Sequence, residues 1–431
     1  MFIKYVFTGV LLLISTSLQA KNHVLTIDTL IKIALEHSPD IDISRFDLEG
    51  AQQRAKYTEG FYLPRLDIDF NGGKQYAKNK NNSSTSSHIL AGTLGASQLL
   101  YDFGKTAGRV AGSQSEVLSF HAQMQQIISD KILYVKQNYY DILKIKSIIN
   151  VQHKNVKLQQ QQLHRAQRYL VSGIKTIIDV SDAKVQLEQA QLDLNNAQYA
   201  LEIERAKLEE TLGYVPYSGK YSVYSKELSL PNVSHTLPRV KTSLYRLQSF
   251  AYRHRYVLQR SKYIVSGAKA NVETEKGEYA PTITLNGQYA KQHIDNSVLA
   301  VSPEEQGQVT VSMNWNLFSG FQTDASVQEA KINVLKASSQ VQSVKLAIKR
   351  QVLESHISLR RNRDNVKLSE SISNASFQKL QQAQKRYEND LSDYVELQDA
   401  QQGYIKSLSD LVSAYYDYFI AMAQLDHAIG K

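Results

Sequence analysis

The most constraining feature of this sequence is that it is written twice, with one constant offset between the copies. Pro64 in Tyr62-Leu63-Pro64 returns as Pro281 in Tyr279-Ala280-Pro281, an offset of 217 residues (281 − 64). The same offset relates Leu100-Tyr101 to Leu317-Phe318, Asp182-Ala183 to Asp399-Ala400, and Gly213 to Gly430. A repeat of half the chain is too long for a solenoid unit, so it indicates a duplicated structural module.

The offset predicts a division of the chain into four parts. These are a signal peptide over 1–20, a first repeat over 21–213, a linker or equatorial segment over 214–237, and a second repeat over 238–430. Each repeat is expected to contain a helix, two strands and a long helical hairpin. The predicted strands cover about 62–76 and 88–101 in the first copy, and about 279–291 and 308–318 in the second.

The N-terminus predicts export from the cytoplasm. Lys4 supplies a positive end, Val6 to Ile14 is a short apolar run, and Leu18-Gln19-Ala20 ends in a small residue suited to signal cleavage. The chain has no cysteine, which excludes disulfides, thiol catalysis and a lipid-anchored N-terminal cysteine. The net charge of +9 is spread along the chain without basic blocks, which favours a solvated helical surface over nucleic-acid binding.

Two long segments of the chain are predicted to be helical hairpins. No proline occurs between Arg65 and Val215 or after Glu304, and glycine is absent between Gly112 and Gly173. Apolar residues recur at every seventh position in the first copy, and this spacing imposes a left-handed supercoil. They are Ile128, Val135, Ile142, Ile149, Val156, Leu163 and Leu170. The second copy is weaker but mostly apolar, and includes Lys345, Val352, Leu359, Val366, Ser373, Leu380 and Tyr387.

Four shorter segments alternate apolar and polar residues. Val309, Val311 and Met313 alternate with Thr310 and Ser312, and Leu66, Ile68 and Phe70 alternate in the same way. Strands of about ten residues with one apolar and one polar face are typical of transmembrane β-strands. Four strands cannot close a barrel, and open strand edges cannot lie in lipid, so several chains are expected to close one barrel together. The alternative is a small periplasmic sheet that caps a coiled coil.

With these features in place, the chain resembles the TolC family of outer-membrane efflux and secretion channels over nearly all of its predicted mature length. The residues that carry the resemblance are Leu25-Thr26-Ile27 with Ala34 to Pro39, the junctions Leu100 to Gly104 and Leu317 to Gly320, and the hairpin tip Arg168 to Gly173 with Asp179 to Ala183. No single motif is decisive, whereas their order, spacing and duplication are specific.

The resemblance implies a mainly α fold with a small β part. Three chains would each give four strands to one transmembrane β-barrel, and that barrel would be continuous with a long α-helical coiled-coil barrel. The homotrimer would lie in the outer membrane, with a long periplasmic part, and would dock an inner-membrane transporter through a periplasmic adaptor. Its function would be that of an exit duct in a tripartite efflux pump or a type I secretion system. Substrates would pass unchanged, so neither catalysis nor a cofactor is expected.

The hairpin tips are the candidate periplasmic gate. Asp179 and Asp182 recur as Glu396 and Asp399 at the same offset, and acids three residues apart lie on one helical face. Symmetry would turn each acid into a ring that attracts cations. Capping of a helix N-terminus explains the same acids equally well, and the two roles are compatible. We expect Asp179 and Glu396 to line the constriction.

Three further gate residues come from the resemblance alone. Tyr169, Lys175 and Tyr387 match tip positions that the family uses in contacts holding the pore shut. Lys175 is expected to help hold the constriction. The second tip lacks the glycine and the basic residue of the first, which leaves open which hairpin faces inward.

Two other classes of protein compete with the channel. A periplasmic adaptor also contains a coiled-coil hairpin, but it has one hairpin inside β-rich domains, whereas this chain has two complete copies. A soluble helical enzyme or scaffold would need a catalytic cluster. The 11 histidines are scattered without the spacing of metal ligands, so no metal site is predicted.

Overall fold

The computed structural model describes residues 23–78, 84–174, 176–216, 221–223, 233–294, 304–389 and 391–431. The predicted signal peptide and Lys175 lie outside the described residues. Within them, no helix combines the length and the apolar character that crossing a membrane requires.

Each half of the chain contains a pair of short helices, a pair of strands and a long helical hairpin. The first half consists of β1 (His23–Leu25), α1 (Ile27–His37), α2 (Pro39–Glu59), β2 (Arg65–Lys78), β3 (Ser84–Tyr101), α3 (Lys105–Val171) and α4 (Ile177–Thr211). A short strand β4 (Tyr221–Val223) follows. The second half consists of α5 (Leu244–His254), α6 (Tyr256–Gly277), β5 (Thr282–Ile294), β6 (Glu305–Asn314), α7 (Gln322–Glu388) and α8 (Tyr394–Ile429).

The four long strands differ from their predicted ranges by two to four residues at every end except the C-terminal end of β3. Strands β2 and β5 begin directly after Pro64 and Pro281, because proline has no N–H for the ladder. Strand β6 ends at Asn314 rather than at about 318, since Asn314 pairs with the first residue of β5, Thr282. The strands extend further into the polar hairpins than their apolar pattern indicated.

The residues divide into two compact units, which we call the tip unit and the sheet unit. The tip unit comprises the described residues of Met1–His37, Tyr134–Leu237 and Arg363–Ile420. The sheet unit comprises Ser38–Leu133, Pro238–Asn362 and Ala421–Lys431. Helices α3, α7 and α8 contribute residues to both units.

The core of the tip unit contains two residues of the predicted seam of α3. Val135 and Ile142 are fully buried in a cluster with Leu30 of α1 and Leu208 of α4. Beside them, β4 pairs in parallel with β1, which fixes residues Tyr221–Val223 of the predicted linker against the first strand. Of the seven α3 positions in the spacing, these two are buried and the other five are half-buried.

The weaker seam of the second copy is also buried. From Val352 to Tyr387, each position of the seven-residue series is buried, including the polar Ser373. On α8, the same holds for Leu411, Tyr418 and Leu425. Burial in the second copy thus follows the period of the pattern even where one member is polar.

Both strand-to-helix junctions turn through two consecutive residues at positive φ. In the first copy these are Phe103 (φ 53°) and Gly104 (φ 95°), and at the same offset the second copy has Gly320 (φ 63°) and Phe321 (φ 63°). The order of phenylalanine and glycine is therefore exchanged between the copies. A bulky residue is strained in this left-handed region, at a cost of about 1–3 kcal/mol, so each junction holds one strained phenylalanine.

The end of α8 is held by a buried arginine of the sheet unit. The Arg255 guanidinium donates to the carbonyl oxygens of His427 (3.3 Å) and Ala428 (3.2 Å), and to Oε1 of Gln351 (3.1 Å). Burial lowers the pKa of Arg255, and the charge of Asp130 opposes that shift. Asp130 Oδ1 in turn lies 2.6 Å from Nε2 of His427. These contacts satisfy carbonyl groups that a helix end otherwise leaves without partners.

Substitution of Gly108 tests the close packing of α3 on α6. A Cβ atom at Gly108 would lie 2.7 Å from the amide nitrogen of Thr274 and 2.9 Å from the carbonyl oxygen of Ala270, both backbone atoms. We expect Gly108→Ala to destabilise the chain by about 1–3 kcal/mol. Gly403→Ala, in a helix with open space around the site, should be neutral or stabilising. Unfolding midpoints of the two variants measure the difference, and equal midpoints would contradict the close approach.

Candidate functional site: a two-faced sheet and two hairpin tips

The sheet is a four-stranded antiparallel arrangement in the order β2-β3-β5-β6. Its register sets Ile68 opposite Leu94, Leu94 opposite Tyr289, and Leu66 opposite Ala96. Directly opposed residues share one face of a sheet. The alternation of all four strands is therefore in phase, and it produces one continuous apolar face. Its large members are Leu66, Ile68, Phe70, Leu90, Leu94, Ile283, Leu285, Tyr289, Val309, Val311 and Met313.

The opposite face of the sheet is polar. Asp69 pairs with Thr93, and Asn286 pairs with Thr310. Asn286 Nδ2 donates to Oγ of Ser312 at 3.1 Å, and Nε of Arg65 donates to Oδ1 of Asp67 at 2.9 Å. Both faces are open to the surroundings in a single chain, and the apolar one includes Val309 at 77% exposure. The sheet thus has the two-faced character that the sequence predicted.

Aromatic side chains collect at the end of the sheet where the strands meet the helices. Trp315 donates its indole N–H to the carbonyl oxygen of Tyr279 at 3.0 Å. Tyr101 packs edge-on against Phe103, and Phe318 packs edge-on against Phe321. Tyrosine and tryptophan prefer the boundary between an apolar layer and water, so this end of the sheet is suited to such a boundary.

Both hairpin tips lie in the tip unit and share one small core. The α3–α4 tip contributes Ala166 and Ala183, and the α7–α8 tip contributes Tyr387, Tyr394 and Leu397. Tyr169 packs against this cluster, and the Tyr387 and Tyr394 rings lie 6.0 Å apart. The two predicted tip tyrosines, Tyr169 and Tyr387, are therefore brought together by packing.

Asp179 caps the helix that follows the first tip. Its Oδ2 accepts hydrogen bonds from the backbone N–H and the hydroxyl of Thr176, both at 2.9 Å, in a capping box. Asp182 lies one turn further along α4 and is exposed. The capping alternative for Asp179 thus has a geometric basis in this chain.

The acids of the second tip are paired with cations across their own hairpin. Glu396 Oε1 lies 3.5 Å from Nε of Arg386, and Asp399 Oδ2 lies 2.5 Å from Nζ of Lys379. Asp393, not Glu396, accepts the hydrogen bond of the first helical turn, from the N–H of Glu396 at 2.9 Å. Glu396 and Asp399 therefore each have a cation partner on α7.

The two tips differ in charge at equivalent positions. The offset of 217 sets Gln162 and Tyr169 where the second copy has Lys379 and Arg386. The first copy therefore has no cation at the two helix positions from which Lys379 and Arg386 reach the acids of the second copy. Sequence reasoning missed Lys379 and Arg386, although comparison of the two copies position by position would have revealed them.

Tyr394 is a further tip residue that the sequence analysis missed. Its ring is buried, and among the described residues its hydroxyl has no hydrogen-bond partner. Burial, with contributions from Tyr387, Asp182 and Asp179, raises the pKa of Tyr394 to about 12. The charges of the first tip therefore reach a side chain of the second.

The family model described as "Outer membrane efflux protein" matches residues 30–214 and 250–431. A curated relative, the outer membrane efflux protein BepC of Brucella suis, is 20% identical over 185 residues, which are 42% of this chain and 39% of that protein. The match thus spans about two fifths of the relative's length.

Solved structures resemble the chain over most of its length. The CmeC outer membrane channel of Campylobacter jejuni has a TM-score of 0.81 and 15% identity, over 94% of this chain and 85% of its own. The outer membrane protein VceC of Vibrio cholerae has a TM-score of 0.78 and 17% identity, over 94% and 96%. CusC, a transmembrane channel, has a TM-score of 0.82 and 16% identity, over 94% and 92%. At these identities the likeness concerns the fold.

Proposed function

Because the chain belongs to the outer membrane efflux protein family, we propose that three copies form one exit duct through the outer membrane. The predicted family is confirmed, and so is the predicted fold class, which is mainly α with a small β part and an internal repeat. The adaptor and enzyme alternatives are therefore set aside. The duct passively conducts substrates of a tripartite efflux pump or a type I secretion system. The ranges predicted for the signal peptide, the two repeats and the linker remain part of this proposal.

The observation that carries the proposal is the sheet with one apolar and one polar face. In the part of the chain that the structure describes, β2 and β6 each pair on one side only. They run in opposite directions, so β6 of one copy can continue the antiparallel order by pairing with β2 of the next. Three such sheets supply twelve strands, apolar outside and polar inside, which is an arrangement that lipid tolerates.

Cysteine cross-linking of the two edge strands tests this assembly, and the chain has no native cysteine to interfere. Ile68→Cys in β2 is combined in turn with Gly307→Cys, Val309→Cys or Val311→Cys in β6, all on the apolar face. We expect at least one pair to yield a covalent trimer after oxidation, because disulfides form only between closely apposed Cβ atoms. Ile68→Cys with Thr310→Cys, on opposite faces, serves as the control. Monomer with every pair would contradict the shared barrel.

The partners proposed for the duct are a periplasmic adaptor and an inner-membrane transporter. The first tip exposes Val171, Ile174, Ile177 and Ile178, and the second exposes Leu391 and Val395. Exposed apolar groups gathered at one place mark interaction surfaces. These aliphatic tips are the surface we assign to the adaptor.

Substitution at the first tip tests the adaptor surface. We expect Ile177→Asp/Ile178→Asp to reduce export at least tenfold while assembly in the outer membrane stays intact, because charges replace the apolar contact. Val185→Asp, at another exposed aliphatic of α4, is the matched control. Export by cells expressing each variant is the measurement. If Val185→Asp abolished export while Ile177→Asp/Ile178→Asp did not, the adaptor would contact a different part of α4.

The gate proposal retains the predicted residues and adds the charge difference between the tips. Asp179 and Asp182 of the first hairpin form the acidic rings, while Glu396 and Asp399 are neutralised by Arg386 and Lys379. Tyr169 and Tyr387 hold the tips together through their shared core, and Lys175 remains a proposed closing residue. Because Glu396 and Asp399 already have cation partners, we place the first hairpin at the constriction.

A further inference from the structure

A cluster of basic side chains lies on the apolar face of the sheet, at the end away from the helices. We call it the cationic cluster, and its members are Lys74, His88, Lys291 and His293. Lys74 is directly opposite His88, Leu90 is opposite His293, and Gly92 is opposite Lys291. The register therefore sets all four on the same face as the apolar residues that precede them along the strands.

The four side chains are near neighbours. Directly opposed residues have Cβ atoms about 5 Å apart, and diagonal neighbours lie about 7–8 Å apart. Lys74 and His88 form a direct pair, and His88 is diagonal to His293 on the next strand. Lys291 lies two residues before His293 on the same strand, so both are on the same face. The cluster is therefore contiguous across three strands.

One of the lysines in this cluster is paired with an acid on the same face. Lys291 forms an ion pair with Glu305, its cross-strand neighbour, at 2.5 Å. Lys74 has no ion-pair partner among the residues that the structure describes. From Ile68 to the helical end, the paired positions of this face carry no charged side chain. Along this one face, the side chains therefore change abruptly from apolar near the helices to basic at the far end of the strands.

We propose that the cationic cluster binds the phosphate groups of lipid headgroups in the outer leaflet. This inference rests on the proposed placement of the sheet in the outer membrane. A lysine on the lipid-facing side of a strand is costly in hydrocarbon but not at the headgroup level. The helices mark the periplasmic end, so the cluster lies at the external end. There the ammonium groups meet phosphate directly, and the imidazole N–H groups donate to its oxygens.

The setting favours a lipid phosphate over free phosphate as the occupant. The cluster is open and flat, without a closed cradle of backbone N–H groups. It is continuous with the rows of Leu90, Leu94 and Ile68, against which acyl chains can pack. A lipid therefore contacts both parts of the surface at once, whereas inorganic phosphate contacts only the basic part.

Lipid retention in nanodiscs provides the test. The full-length protein is reconstituted in phosphatidylcholine with either bisphosphorylated lipid A or the same lipid stripped of phosphate, and bound lipid is counted by native mass spectrometry. We expect a clear preference for the phosphorylated lipid, and we expect Lys74→Gln/His293→Gln to reduce it roughly fivefold, the effect of one lysine near an anionic surface. Arg65→Gln, which removes a cation from the opposite face, should keep the preference.

The outcomes separate this inference from the proposed function. Failure of the unaltered protein to enter nanodiscs would overturn the membrane placement itself. Entry without a preference for phosphorylated lipid, or an equal loss with Arg65→Gln, would overturn the phosphate site alone. Displacement of lipid A by inorganic phosphate would also overturn it. Should the glutamine variant fail to fold, Lys74→Arg keeps the lysine's charge and must retain the preference.

Discussion

Val309→Arg is expected to abolish assembly in the outer membrane, whereas Thr310→Arg, one residue away, leaves it intact. Val309 lies midway along the edge strand β6 on the apolar face, opposite Gly287, and Thr310 lies on the polar face, opposite Asn286. Arginine on the lipid side of a transmembrane strand costs about 2–4 kcal/mol near the bilayer midplane. Three copies multiply that cost, while an arginine on the polar side points into water.

The comparison is read from the amount of heat-resistant oligomer in outer-membrane fractions. Leu94→Arg and Thr93→Arg repeat it on β3, which is not an edge strand, and so separate the effect of the face from any effect on pairing between copies. Equal assembly of Val309→Arg and Thr310→Arg would mean that the apolar face does not meet lipid. The periplasmic-sheet alternative would then return.

Neutralising the first tip is expected to remove most of the cation preference of the pore. Asp179→Asn/Asp182→Asn keeps side chains of the same size, and the asparagine oxygen at 179 can still accept the hydrogen bonds of Thr176. Each charge at 4 Å attracts a monovalent cation by about 1 kcal/mol even in water, or roughly fivefold in occupancy. A ring of three copies in a narrow pore exceeds that value.

The second tip supplies the matched control. Glu396→Gln/Asp399→Asn should change selectivity little, since each acid is already paired with a cation. Conversely, Lys379→Gln/Arg386→Gln leaves those acids unpaired and should increase the preference for cations. Reversal potentials under a salt gradient measure all three variants. A larger loss from the second tip than from the first would reverse the assignment of the inner hairpin.

Much of the fold could be predicted because its signals are periodic and local. The two-residue alternation identified the faces of the sheet, and the seven-residue spacing identified core positions such as Val135 and Ile142. Strand ends were less predictable, because the end of β6 depends on where β5 offers a partner rather than on its own residues.

The candidate site was harder to predict because its contacts are long-range. Arg386 meets Glu396, and Lys379 meets Asp399, only because the hairpin folds the two helices back on each other. No local pattern marks such pairs. The positive φ angles of Phe103 and Phe321 were equally hard to predict. The adjacent glycine indicates a turn, but it does not indicate that the phenylalanine also adopts the strained left-handed conformation.

The central claim is that the chain forms a channel, and conductance in a planar lipid bilayer tests it most directly. The purified, detergent-extracted oligomer is added to one side and single insertions are recorded. The account predicts small, stable steps that prefer cations, as expected of a pore with an acidic constriction that is closed at rest. A folded oligomer that enters the bilayer without any conductance step would contradict it.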